Sequence, residues 1–235
     1  DTADVTTASV ERSVGNKVSS VEPLPGAEKE VADLSSFLKT NNWETETHLL
    51  ADATEENIKK MNNPRVFHVA THGFFVEESS ITKQNEMMQD EVPTDNPLLK
   101  SGLLFVGADE LLQENNIFQF NKKDGILTAY EAMNLRLDNT ELVVLSACET
   151  GLGEVKSGEG VYGLQRSFLV AGAQNVIMTL FKVNDEVTQK LMNTFYQKWL
   201  ETGDKRKAFI EAKKMIKDEY DSPIYWGSFV LIGLD

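Results

Sequence analysis

Among 235 residues there is a single cysteine, Cys148. An internal disulfide is thereby excluded, as is any metal site built on several thiolates. A reducing, cytoplasmic setting suits such a chain. No apolar run approaches the ~18 residues that a membrane-spanning helix needs. No basic, apolar leader opens the sequence, and its first residue is Asp1 rather than methionine, so we expect a fragment or a processed product that is not secreted. Positive charge is scarce. Lys and Arg number 23 against 37 Asp and Glu, for a net charge of −14 and a pI of about 4.7. Such a surface repels phosphate, so contact with nucleic acid or a membrane is not expected.

What the chain does have is apolar content for a core, 41% of its residues. Residues 1–22, rich in Thr, Ser, Val and charge without a clear period, read as a loose segment or a weak leading strand. From residue 23 to 235 strands and helices alternate. Leu24-Pro25-Gly26 opens a helix with Glu28 and Glu30 in its first turn and Val31, Leu34 and Leu38 on its inward stripe. Trp43 to Leu50 alternates like a strand, and Asp52 to Glu56 resembles a capped helix start. Val66 to Thr71 is an apolar strand ending in His72-Gly73, and Glu141 to Ala147 is another, ending at Cys148. Leu103–Val106, Asn175–Phe181 and Tyr225–Ile232 complete the strands. Helices are expected at 128–134, along Val161, Leu164 and Phe168, over 186–200, and along Phe209, Ala212 and Ile216. The pattern predicts an α/β three-layer sandwich with a mostly parallel central sheet, interrupted by an acidic insertion loop at 77–95. A second irregular stretch covers 107–124.

The chemistry gathers at two strand exits. In an open parallel sheet those exits share one edge, the edge where ligands bind. A thiol at one exit becomes a nucleophile when an imidazole at the other favours the thiolate. His72 can accept the thiol proton and later give it to a leaving amine. The N–H groups of Gly73 and Cys148 then suit an oxyanion, each such donor being worth about 3 kcal/mol of barrier. His68, four residues before His72, leaves the same strand face and is expected to support it through hydrogen bonds, while His48 lies on the surface. No metal ion or organic cofactor is called for.

Thr71-His72-Gly73 together with Ser146-Ala147-Cys148-Glu149-Thr150-Gly151-Leu152-Gly153 resembles the CHAT peptidases, caspase-like relatives of separase often fused to TPR repeats. The likeness continues through Gly158-Glu159-Gly160-Val161, Leu169-Val170-Ala171-Gly172-Ala173, Thr179–Asp185 and Tyr225-Trp226. Phe181-Lys182 stands where members commonly have Trp-Pro. The resemblance implies a caspase-like sandwich in residues 23–235, with Cys148 as nucleophile and His72 as its partner. It also implies cleavage of a specific protein substrate and gating by a regulatory module, such as TPR repeats in the same or a partner chain. Similarity to separases suggests that Asp185 meets a basic residue before the scissile bond; capping the next helix is its plainer role. Glu159 either orders the catalytic loop and pocket or sits in a helix's first turn, and Glu149 supports Cys148.

Two other classes compete. Gly158-Glu159-Gly160-Val161-Tyr162-Gly163 fits a dinucleotide fingerprint, with Asp185 22 residues beyond its last glycine. Its first glycine lies eleven positions after the strand ends at Ala147, however, whereas a pyrophosphate loop follows its strand directly. The stronger alternative is a catalytically inactive caspase-like module that binds a partner through its cleft.

Overall fold

The structure is a computed structural model that describes residues 24–75, 96–99, 101–108, 125–146, 159–180 and 184–233. The leading segment 1–22, the 77–95 insertion, most of 107–124, and Cys148 with Glu149 lie outside the described residues.

Helix α1 (Pro25–Thr40) starts on a proline, which has no N–H to leave unpaired there. Its buried positions are Ala27, Glu30, Leu34 and Leu38, spaced by three and four residues. Glu30 thus occupies an inward position, while Val31 stands at the half-buried margin. Helix α2 (Glu55–Lys60) is capped by Thr54, whose hydroxyl accepts from the Asn57 N–H. Strand β1 (Val66–Ala70) follows, then β2 (His72–Phe75), β3 (Ser101–Leu104) and β4 (Ile126–Thr128). Thr128 and Glu131 form a capping box on the short α3 (Ala129–Ala132). Strand β5 (Leu142–Ser146), helix α4 (Glu159–Val170) and strand β6 (Asn175–Thr179) come next. Helix α5 (Asp185–Thr202) ends on Gly203 with φ 71°, a left-handed cap. Helix α6 (Lys205–Glu219) and strand β7 (Phe229–Gly233) close the described chain.

The central sheet has the order β1-β5-β6-β7, with β1, β5 and β6 parallel and β7 antiparallel. Side chains alternate between two cores. Val143 and Leu145 of β5 face a layer that includes Ile58 of α2, Ala132 of α3 and Phe168 of α4. Leu142 and Val144 face the opposite layer, with Leu34 of α1, Phe195 of α5 and Phe209 of α6. Every residue of β5 and β6 is buried, as parallel strands covered on both faces must be. This is the expected three-layer sandwich. Among the described residues, no helix is long and apolar enough to cross a membrane.

Three details depart from the sequence reading. Among the described residues Trp43 to Leu49 joins no strand ladder, and Leu50–Asp52 is a turn of 3-10 helix. The closing strand begins only at Phe229, because Pro223 to Gly227 is taken up by turns. The third bears on the site. The chain does not leave β1 into a loop; at Thr71 it passes into a second, antiparallel sheet of order β2-β3-β4. Gly102 lets those three strands close, since a Cβ there would strike the Leu127 carbonyl and lie 2.7 Å from the Phe74 ring.

Candidate active site

Strands β1 and β5 pair in parallel, and the last pair in register is Ala70 with Ser146. His72 and Cys148 each follow their member of that pair by two residues. Neighbouring strands lie about 4.8 Å apart.

His72 is the first residue of β2, opposite Leu104 of β3, and is only 1% exposed. A strand exit is usually open, but here β3 lies alongside His72 and covers it. Thr71 anchors the crossing between the sheets by donating from Oγ1 to the Leu104 carbonyl. Gly73 is buried opposite Leu103 in the same ladder. Glu159 opens α4. Asp185 is the first residue of α5 and exposed, and the cap is its neighbour: the Asn184 side chain accepts from the N–H groups of Glu186 and Val187. The plainer role proposed for Asp185 therefore belongs to Asn184. Asp185 instead packs on α1, where a Cβ added to Gly26 would lie 2.8 Å from both its Cβ and its Oδ2.

Beneath this edge runs a buried polar network. His68, with its side chain 8% exposed, holds Glu30 Oε1 at 2.9 Å through Nε2 and the Tyr196 hydroxyl at 3.0 Å through Nδ1. Ser146 Oγ donates to Glu30 Oε2 at 2.9 Å. Burial, reinforced by the Glu30 carboxylate, pushes the Tyr196 phenol well above its ordinary range. The His68 ring is thus paired at both nitrogens, with the phenol on one side and the Glu30 carboxyl on the other. One carboxylate thus joins α1 to both strands that lead to the paired exits. Removing Glu30 or His68 from such a buried set costs about 2–4 kcal/mol, because the group left behind is desolvated and unsatisfied.

His68 was expected to be a hydrogen-bonded support, and it is hydrogen-bonded here. Glu30, Ser146 and Tyr196 were not anticipated in the network. A sequence signal existed for Glu30, an acid at the i−4 position of the Leu34, Leu38 stripe. Gly26 and Glu30 are four residues apart, about 6 Å along a helix axis, so α1 also brings Asp185 to the region of Ser146. Among the described residues, no three His, Cys, Asp or Glu side chains gather as a metal site.

The family model of the CHAT domain matches residues 5–234. The chain is 36% identical over 113 residues to Tetratricopeptide repeat protein 28 of Mus musculus, covering 47% of this chain and 4% of that protein. It is 33% identical over 112 residues to the protein of the same name from Homo sapiens, again 47% of this chain and 4% of the relative. The matched stretch is therefore a small part of each relative.

Proposed function

Since the chain belongs to the CHAT-domain family, we propose that it is a caspase-like cysteine endopeptidase acting through a dyad of Cys148 and His72. The observation that carries this reading is the Ala70–Ser146 register, because the imidazole and the thiol each come two residues later. In this reading His72 takes the Cys148 proton and the thiolate attacks the scissile carbonyl carbon. The N–H groups of Gly73 and Cys148 hold the oxyanion. The proton returns to the departing amine, leaving a thioester that water hydrolyses to free the acid and the thiol. Glu149 supports the nucleophile, and Asp185 with Glu159 lines a pocket for a basic residue. The partners are a specific protein substrate and a regulatory module. The tetratricopeptide-repeat names of the mammalian relatives support a TPR array in that gating role, in this chain or another. A reducing, cytoplasmic compartment would keep the thiol available.

The burial of His72 favours a second reading, an inactive caspase-like interaction module. A thiol-directed peptide probe separates the two. Labelling of Cys148 in the wild type that is lost in His72→Ala supports the dyad. Labelling that ignores the histidine, with no cleavage products in proteome-wide mapping against Cys148→Ala, would establish the module instead.

A further inference from the structure

Helix α6 concentrates the charge of which the chain has least. Between Lys205 and Glu219 it holds six of the 23 cations and three acids, in a chain of net charge −14. Ala208, Phe209, Ala212 and Ile216 turn inward, into the core shared with Phe195 of α5 and Phe229 of β7.

The outward face is organised round Ile210, which is 57% exposed. Neighbours on a helix surface lie three, four and seven positions away. Before Ile210 these are Arg206 and Lys207; after it they are Lys213, Lys214 and Lys217. Every one is a cation. At about 100° per residue all five fall within about 60° of Ile210, whereas Glu211, Asp218 and Glu219 fall outside that sector.

Helix stability does not account for the pattern. Lys205, Arg206 and Lys207 occupy the first turn, which holds no acid and where the helix dipole disfavours positive charge. Glu211 follows Lys207 by four residues and Asp218 follows Lys214 by four, yet among the described residues neither forms an ion pair. Lys213 donates to the Phe229 carbonyl at 2.7 Å, and the Lys217 ammonium lies 5.0 Å from the centre of the Trp226 ring. Those two cations are therefore held in place, which lowers the ordering cost of binding, while Lys207 and Lys214 are exposed. A lone exposed isoleucine is ordinary. One ringed by five cations combines an apolar anchor with a selector for negative charge.

We infer that this face of α6 docks an acidic segment of a partner protein, with an apolar side chain of that segment on Ile210 and carboxylates on either side. From Arg206 to Lys217 the stripe runs about 16 Å along the helix axis, the length of about five extended residues. Its size also chooses among polyanions. Nucleic acid or an anionic bilayer would extend past the stripe onto a surface with a large excess of acid, whereas a short segment stays within it. The inference goes beyond the peptidase reading and does not depend on it, since docking needs no turnover at Cys148.

Fluorescence anisotropy of labelled polyglutamate peptides carrying one central leucine, titrated with the full chain, tests this. Binding should weaken as salt is raised. It should fall about tenfold or more in Ile210→Ser, in Lys207→Glu combined with Lys214→Glu, and when the peptide leucine is replaced by serine. These positions are exposed, so thermal unfolding of the variants should match the wild type. Absence of binding overturns the proposal, and so does binding that both variants leave intact. Tighter binding of a single-stranded oligonucleotide or of phosphatidylserine vesicles, lost in the same variants, would make the stripe a phosphate surface and also overturn it. Amide shifts of the wild type on adding the peptide give a check that needs no variant: they should cluster at 206–217, and a cluster elsewhere removes α6 as the site.

Discussion

Glu30 and His68 meet at 2.9 Å across 38 positions of sequence, joining the first helix to the edge strand of the central sheet. The other oxygen of the same carboxylate accepts from Ser146, so one buried acid serves two strands. Its burial makes the arrangement strict, since water is not available to replace a lost partner.

Glu30→Ala and His68→Ala should each destabilise the fold by about 2–4 kcal/mol, read from urea unfolding near neutral pH. The double variant should lose less than the sum, with a coupling of about 1–3 kcal/mol. Strict additivity would mean that the pair contributes nothing jointly.

Tyr196→Phe should flatten the alkaline limb of the stability profile. The unfolded phenol ionises near its ordinary pKa of 10.0, whereas the folded one, raised by burial, keeps its proton. Above that pH the unfolded state binds fewer protons, so stability falls as pH rises, by up to about 1.4 kcal/mol per pH unit from this group. Below it the contribution is complete. Phenylalanine removes this fall while costing about 1–3 kcal/mol at neutral pH, because His68 Nδ1 loses its hydrogen-bond partner. Urea midpoints taken from about pH 8 to pH 11 decide it. Parallel curves for the two proteins would show that the phenol titrates normally.

Asp185→Ala should weaken any preference for a basic residue before the cut. An exposed ion pair is worth about 0.2–1 kcal/mol, so the preference should shrink by about fivefold at most in kcat/KM. Gly26→Ala offers an independent check, because its new Cβ meets Asp185 at 2.8 Å and displaces the carboxylate without removing its charge. A peptide-library profile unchanged in both variants would remove Asp185 from the pocket.

The sandwich was legible because β1, β5 and β6 are continuous apolar runs between helices with regular stripes. Those signals are local. The Glu30 network was not, since its members sit on two strands and two helices and meet only when the layers close. Glu30 reads as a first-turn partner of the helix dipole, whereas α1 starts at Pro25 with only Glu28 in its first turn, and the neighbouring strands show that Glu30 points inward. Thr71 misled for a related reason. A strand that changes sheets keeps the same apolar pattern across the change, so nothing before His72 marks the boundary. The 43–49 run has a strand's alternation and lacks a described neighbour to pair with, which local pattern does not reveal.

A single peptide unit, that of Thr71, is the whole distance between the two sheets. His72 travels with the small antiparallel sheet, whereas Ser146, two positions ahead of Cys148, is fixed to the large one. Shear between the sheets therefore moves the His72 imidazole relative to the end of β5, where the proposed nucleophile follows. On the proposed reading that joint gauges the alignment of the site, and a regulatory module would need only a slight push on the small sheet to alter it.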